Sequence, residues 1–453
     1  MTAYSLYAFQ KKGVRKINHF GGRALVADEM GLGKTIEALE WWKQSKLSPC
    51  VVVCSASLKW VWEHEAFVHS NIRATVLSGR TPAKSVSSLT DHQLIVVNYD
   101  ILDAWKEWIL QLKPQVLIAD EVQKIKTWGT QRTKATKWLG GKIPHILALS
   151  GTPLTNRPDE LYNTLNLIRP DIYNSRYAYR WRYCSPKKTY WGWDFKGASH
   201  LDELHRNLKS TMMIRRLKAD VLTELPAKQR TTVPLDIEHP KEYKEALNNF
   251  IVWLTKKSAA KAQKALAAQS LVQLGYLKRL AAELKMKAAL QWIDTFMEES
   301  SEKLVVFCIH KKIVDVLKER YKKTCVVIVG GVSSKKRKQA VQEFQTNKKT
   351  RLFIGNIIAA GEGLTLTAAS TLAFVELDWV PANHIQAEDR IHRIGQENVA
   401  MIYYLVAKDT LEESLCAILQ EKQEILSKTL DGKVQKNDLN LWSQLQTELL
   451  KGA

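Results

Sequence analysis

Ala27-Asp28-Glu29-Met30-Gly31-Leu32-Gly33-Lys34-Thr35 is the stretch that decides the fold. The apolar Ala24-Leu25-Val26 before it reads as a short buried strand, and Thr35-Ile36-Glu37-Ala38-Leu39 after it opens a helical pattern. Gly31 and Gly33 therefore fall at a strand-to-helix turn. There, backbone without side chains can approach a polyphosphate, and the helix N-terminus presents unpaired N–H groups. Lys34 can reach the β/γ-phosphates and the Thr35 hydroxyl can ligate Mg²⁺, so the stretch is expected to be a phosphate cradle. The match is to a short G-x-G-K-T form, because Asp28 stands where the strict P-loop pattern has glycine.

A chain of 453 residues exceeds what one core usually supports, which predicts two domains of about 200 residues each. Apolar residues at 45% and charged residues at 25% set fibrous and disordered classes aside. Lys and Arg number 67 against 46 Asp and Glu, and the resulting charge of +21 calls for a polyanionic partner, nucleic acid or an anionic membrane. Nucleic acid is favoured and no membrane association is expected. No apolar run approaches the ~20 residues of a spanning helix, and Met1-Thr2-Ala3-Tyr4 lacks an export signal. Cys50, Cys54, Cys184, Cys308, Cys325 and Cys416 form no C-x-x-C pair and meet no paired histidines, so no structural metal is expected. They read as reduced, mostly buried thiols of an intracellular protein.

Upstream of the cradle, Gln10 lies in an amphipathic helical pattern, and its amide can pair with both donor and acceptor on an adenine edge. A solvated glutamine is the alternative. Downstream, Val51-Val52-Val53-Cys54, residues 94–99 and residues 116–119 are short apolar runs separated by helical patterns, as in parallel strands buried on both faces. The third run ends in Asp120-Glu121-Val122-Gln123, and the carboxyl ends of strands are where open α/β sheets bind ligands. Asp120 is expected to hold Mg²⁺ through water, and Glu121 to position or deprotonate an attacking water. A further strand, 146–149, runs into Ser150-Gly151-Thr152-Pro153, where Ser150 and Thr152 can relay hydrogen bonds away from the nucleotide.

From Pro240 to Glu299 the pattern turns helical. Lys256, Lys257, Lys261 and Lys264 punctuate alanines, while Leu271, Leu274, Leu277 and Leu280 recur at helical spacing. A second series of strands follows at 304–308, 325–329, 352–354, 372–375 and 401–406, predicting two stacked α/β lobes. Gln386, Arg390 and Arg393 fall at i, i+4 and i+7, a single helical face from which two guanidiniums can point at one phosphate. Such arginines commonly form surface ion pairs, but beside a cradle a trans-lobe arginine finger is the expectation. Trp41, Trp42, Trp60, Trp62, Trp292 and Trp379 are expected in the core.

Taken in order, Gln10, Gly31-Leu32-Gly33-Lys34-Thr35, Asp120-Glu121 and Ser150-Gly151-Thr152-Pro153 resemble the core of the superfamily-two helicases, specifically the Swi/Snf-type DNA translocases. Trp191-Gly192-Trp193-Asp194-Phe195-Lys196-Gly197, Ile214-Arg215-Arg216-Leu217-Lys218 and Leu225-Pro226-Ala227-Lys228 resemble the annealing-helicase, HARP-like branch. Residues 359–367 and 386–396 look like the last two motifs of the family. The resemblance spans nearly the whole chain. It implies two stacked RecA-like lobes of parallel sheets flanked by helices, at 1–225 and 286–430, with a helical insertion at 226–285 and a polar tail at 431–453.

The same resemblance implies a DNA-dependent ATPase that uses ATP and Mg²⁺ and travels as a monomer on double-stranded or forked DNA, with a role in rewinding or fork remodelling. Gln10, Asp28, Gly31, Gly33, Lys34, Thr35 and Gly363 would bind ATP. Lys34, Asp120, Glu121, Gln386, Arg390 and Arg393 would be catalytic, and Lys59, Trp62, Ser150, Thr152 and Thr365 would couple to or contact DNA. Gln123 replaces a histidine common in relatives, and Ser55 a proline. Two rivals stay open: a strand-separating helicase on DNA or RNA, for which no wedge is visible, and an ATP-gated nucleic-acid scaffold. With no appended module, a minimal microbial or viral enzyme is expected, cytoplasmic in that case and nuclear in a eukaryote.

Overall fold

The computed structural model describes residues 6–82, 94–190, 192–222, 224–248, 269–359 and 364–432. Its first half turns the apolar runs into one parallel sheet. The strands are β1 (Arg23–Val26), β2 (Cys50–Cys54), β3 (Ala74–Val76), β4 (Leu94–Asn98), β5 (Val116–Asp120) and β6 (His145–Leu149). A small antiparallel hairpin, β7 (Lys187–Thr189) and β8 (Gly192–Asp194), precedes the last strand, β9 (Met213–Ile214). The order across the sheet is β3-β4-β2-β5-β6-β1-β9. Alternate residues of the strands enter two different cores: Leu25, Val51, Val53, Leu117 and Ile146 one, Val26, Val52, Cys54, Ile118 and Leu147 the other. Both faces are covered, which is why the strands read as continuous apolar runs.

The register sets up the site. Val26 pairs with Leu149 on one side and Ile214 on the other, and Leu149 pairs in turn with Asp120. Four strands thus end at one level, and the chain after each emerges at the same carboxyl edge. Helices α1 (Ala8–His19), α2 (Lys34–Ser45) and α3 (Lys59–Ser70) accompany this sheet. Trp41, Trp42 and Trp62 are buried, as expected, but Trp60 is 51% exposed. On α3, Trp62 and Ala66 face inward, and Trp60, two residues or about 200° round the helix from Trp62, faces away.

The chain separates into two units, one of Met1–Leu225 with Glu424–Val434 and one of Pro226–Gln423 with Gln435–Ala453. The second is built on another all-parallel sheet: β10 (Lys228–Leu235), β11 (Leu304–Cys308), β12 (Cys325–Ile328), β13 (Leu352–Asn356), β14 (Thr371–Phe374) and β15 (Ala400–Ala407), in the order β10-β15-β14-β11-β13-β12. Its two faces again carry separate cores, with Val305, Phe307 and Phe374 in one and Leu304, Val306 and Ala373 in the other. Two α/β units with parallel sheets flanked by helices are as the sequence predicts.

One segment differs from that reading. Residues 228–235, expected to open the helical insertion, form edge strand β10, paired along its length with β15. Its Thr-Thr-Val run favours a strand, and Pro234 is tolerated because the strand lies at the sheet's edge. Helices follow at Pro240–Asn248, Gln269–Leu284 and Met286–Glu299, and Leu277 and Leu280 are buried as their spacing predicts. Lys256, Lys257, Lys261 and Lys264 lie outside the described residues, as does the tail beyond Gly432. The last helix, Leu411–Asp431, contributes Leu415 and Leu419 to the core of the second unit and Leu426 and Leu430 to that of the first. No described helix is long and apolar enough to cross a membrane.

Candidate active site

The loop from Ala27 to Gly33 leaves β1 and ends on α2. Gly31 and Gly33 take φ values of +85° and +79°, a region glycine enters without steric cost. A Cβ on Gly33 would also sit 2.4 Å from Gln10 Nε2. Gln10 is buried against the loop, where Nε2 donates to the Leu32 carbonyl (3.0 Å) and Oε1 accepts from the Tyr7 N–H (3.0 Å). The Lys34 ammonium donates to the carbonyls of Asp28 (2.9 Å) and Glu29 (3.2 Å) and is enclosed by the loop it closes. Burial lowers its pKa, while Glu121, Asp28 and Asp120 pull it back up. Gly151 presses on this loop from β6: a Cβ there would lie 2.2 Å from Met30 Cγ.

The Asp28 side chain, expected among the ATP-binding residues, is engaged within the protein. Its carboxylate is fully buried and gripped by the Arg216 guanidinium, with Nε to Oδ1 at 2.9 Å and a second bond from Nη2 to Oδ2. Arg216 also reaches Glu37 Oε2 (2.6 Å) and the Phe9 carbonyl. Burial, and then the neighbouring Asp28, push the Glu37 carboxyl up to about 8. Asp28 therefore gives the cradle its backbone carbonyl and shape, and its side chain is committed to Arg216. Arg215 works beside it. Its Nη1 donates to Ala27 O (2.8 Å) and Gly151 O (3.1 Å), stapling the cradle to the Ser-Gly-Thr turn, while its Nε pairs with Asp431 (2.8 Å).

At the end of β5, Glu121 adopts φ +49°, ψ +52°, a left-handed conformation uncommon for glutamate and of the kind that clusters at active sites. Its Oε2 accepts from Gln123 Nε2 (2.6 Å), Gln123 Oε1 accepts from the Ser150 hydroxyl (2.6 Å), and Ser150 Oγ accepts from the Thr152 N–H (3.0 Å). The glutamine that departs from the family pattern thus bridges the acidic pair to the Ser-Gly-Thr turn with both ends of its amide.

Asp120 is fixed from three sides: Trp62 Nε1 donates to Oδ2 (2.7 Å), the Glu121 N–H to Oδ1 (2.9 Å), and the Tyr99 hydroxyl to its carbonyl (2.9 Å). Burial and then the adjacent Glu121 raise its pKa to about 7, a protonation that a nearby dication would reverse. The Asp120 carboxylate and the Thr35 hydroxyl are oxygen donors of the type Mg²⁺ takes. Trp62, expected on DNA, is buried and positions Asp120. Lys59, expected there too, ties its ammonium to the Leu77 carbonyl (2.8 Å).

In the second unit the expected single helical face does not form. The helix Pro381–Glu388 carries Gln386, largely buried, and the chain turns at Asp389 (φ −71°, ψ 0°) before either arginine. The helix end is pinned because Glu388 accepts from Lys228 (2.9 Å), Arg230 (2.8 and 2.9 Å) and the Tyr404 hydroxyl (2.6 Å). Burial would raise its pKa, but Arg230 and Lys228 hold it well below the usual carboxylate range. The arginines converge nonetheless. Arg390 Nη1 and Arg393 Nη1 each donate to the Leu364 carbonyl at 3.3 Å, beside the half-buried Thr365. Gly363 lies outside the described residues.

Comparison with known proteins gives this arrangement a family. Residues 9–286 match the SNF2-related domain, and residues 284–395 the helicase conserved C-terminal domain. The SWI/SNF-related matrix-associated actin-dependent regulator of chromatin subfamily A-like protein 1 of Xenopus tropicalis is 36% identical over 439 residues, covering 93% of this chain and 44% of that protein. The human DNA annealing helicase and endonuclease ZRANB3 is 34% identical over 472 residues, 97% of this chain and 42% of that protein. The chain thus spans less than half the length of these relatives. Both are eukaryotic, and neither supports the expected minimal microbial or viral source. A Sulfolobus solfataricus SWI2/SNF2 ATPase core in complex with dsDNA aligns over 99% of this chain and 97% of its own, with a TM-score of 0.44 and 24% identity. With the SNF2-related model matching more than half of its length and the helicase C-terminal model following directly, the chain belongs to the SNF2 family of helicase-like, superfamily-two ATPases.

Proposed function

We propose that this chain hydrolyses ATP to move along double-stranded DNA and rewinds or remodels forked DNA, acting as a monomer. The observation that carries the reading is the unbroken run of hydrogen bonds from Glu121 through Gln123 and Ser150 to Thr152, which ties the hydrolytic carboxylate to a turn outside the cradle. The name DNA annealing helicase, carried by a relative aligned over almost the whole chain, supports the choice of substrate. In a eukaryotic source the compartment on this reading is the nucleus.

In this mechanism Lys34 exchanges the carbonyls of Asp28 and Glu29 for the β/γ-phosphates, which offer its ammonium charged acceptors. Gln10 and Arg215 hold the loop open in shape as the ammonium moves. Thr35, and Asp120 through water, would hold Mg²⁺, which would supply charge neutralisation on the phosphates. Glu121 orients the attacking water and takes its proton, and Gln123 passes the change at Glu121 to Ser150. Arg390 and Arg393 supply the cations that stabilise the transition-state charge.

ATPase rates measured with blunt duplex, forked DNA, single strands and RNA test this directly. Duplex and forked DNA are expected to stimulate turnover and RNA not to, and Lys34→Ala should abolish it. Turnover indifferent to DNA, or retained near wild type in Lys34→Ala, contradicts the reading.

A further inference from the structure

The β7–β8 hairpin belongs to none of the machinery above, yet it displays two exposed aromatic rings. Tyr190 at its tip is 93% exposed and Trp193 on β8 is 50% exposed. The hairpin is anchored by edge-to-face packing: Trp193 meets Trp181 of the helix Arg176–Tyr183 at 4.6 Å and 61°, and Trp181 meets Phe195 at 6.0 Å and 80°. Arg180 lies over Phe195 at 4.1 Å. The ladder pairs Lys188 with Trp193, so that ammonium and indole stand on one face of the ribbon; Lys187 pairs with Asp194 on the opposite face, and the exposed Lys196 lies 3.8 Å from Asp194.

Two other exposed tryptophans of the same unit, Trp128 and Trp138, have a different environment. Trp128 carries Lys137 at 4.7 Å and Arg176 at 4.9 Å over its ring, and Trp138 carries Lys106 and Lys142 at 5.4 and 5.2 Å. Cations of the chain itself already serve those rings. Trp193 is held by other aromatics.

We propose that this hairpin is a stacking site for unpaired bases at a DNA junction. Exposed rings fixed on a rigid base, set among lysines, combine the two elements of single-strand binding: a flat partner for a base and positive charge for its phosphates. Intact duplex does not fit, because its base faces are already stacked on one another. A protein partner fits less well, because the exposed surface of the hairpin offers aromatics and ammonium groups and, among its described residues, no aliphatic patch. The inference rests on the reading of the chain as a DNA motor and adds to it a means of telling a fork from plain duplex.

The test uses the full chain and forked DNA with 2-aminopurine in the single-stranded arm next to the junction. Binding affinity, probe fluorescence and blunt-duplex-stimulated ATPase are recorded. Trp193→Ala is expected to weaken fork binding about fivefold or more and to remove the stacking signal, with blunt-duplex ATPase unchanged. Trp193→Phe, which keeps a ring, should recover most of the loss, and Lys188→Gln should weaken binding with the signal retained. Should Trp193→Ala melt early, Tyr190→Ala carries the same expectation at a ring exposed to solvent. Fork affinity and probe signal equal to wild type in both alanine variants overturn the proposal and leave the hairpin to a protein partner. Absence of any DNA-stimulated ATPase in the unaltered chain is a different result, because it removes the motor reading itself.

Discussion

Glu121→Gln is expected to leave ATP bound with near wild-type affinity and to cut turnover by about 10²–10⁴-fold, the range a positioned general base contributes. The amide keeps the shape of the carboxylate, and its oxygen can still accept the bond from Gln123 Nε2, now 2.6 Å from Glu121 Oε2. What it cannot do is take a proton. The left-handed backbone at position 121 is as accessible to glutamine as to glutamate, so the loop has no reason to rearrange. Equilibrium binding of a fluorescent ATP analogue, set beside steady-state hydrolysis, separates the two effects. Loss of affinity in parallel with turnover would make Glu121 a structural residue.

Arg393→Ala should slow turnover by about 10³–10⁵-fold, the range for an arginine that stabilises the transition state of phosphoryl transfer. Nucleotide affinity should change far less, because that charge develops only as the bond breaks. Arg390→Ala should act in the same direction. Arg390 is the more buried of the two, and its carbonyl accepts from the Leu366 N–H (2.9 Å), so its variant needs a melting curve beside the kinetics. Single-turnover hydrolysis is the measurement. Unchanged rates in both variants would remove the arginines from catalysis.

What the sequence disclosed about this site is what local pattern can carry. The cradle, the acidic pair and the Ser-Gly-Thr turn each follow directly on an apolar strand, and parallel strands bring their carboxyl ends together whatever their order. The contributions of Arg215 and Arg216 depend on β9 lying beside β1, a pairing between residues nearly 190 positions apart that no local period reveals. The same pairing explains Asp28: the residue that breaks the glycine pattern is the buried partner of Arg216. Trp62 illustrates a related limit, because its helical spacing predicts burial but not the bond from its indole to Asp120. Trp60 shows that an apolar stretch does not bury every ring in it. The helical reading of Arg390 and Arg393 extended a period beyond the point where Glu388 is pinned to β10, and the convergence on Leu364 comes from the turn that follows.

The proposed activity is movement along duplex DNA without net strand separation. Separation would require something to break base stacking, at ~1.4 kcal/mol per base-pair step on average, across every step travelled. Displacement of a triplex-forming strand from an intact duplex, followed with ATP and compared with unwinding of the same duplex bearing a fork, is the most direct measurement. ATP-dependent displacement of the third strand and no net unwinding are expected. Processive unwinding of the fork with the third strand left in place would contradict that activity.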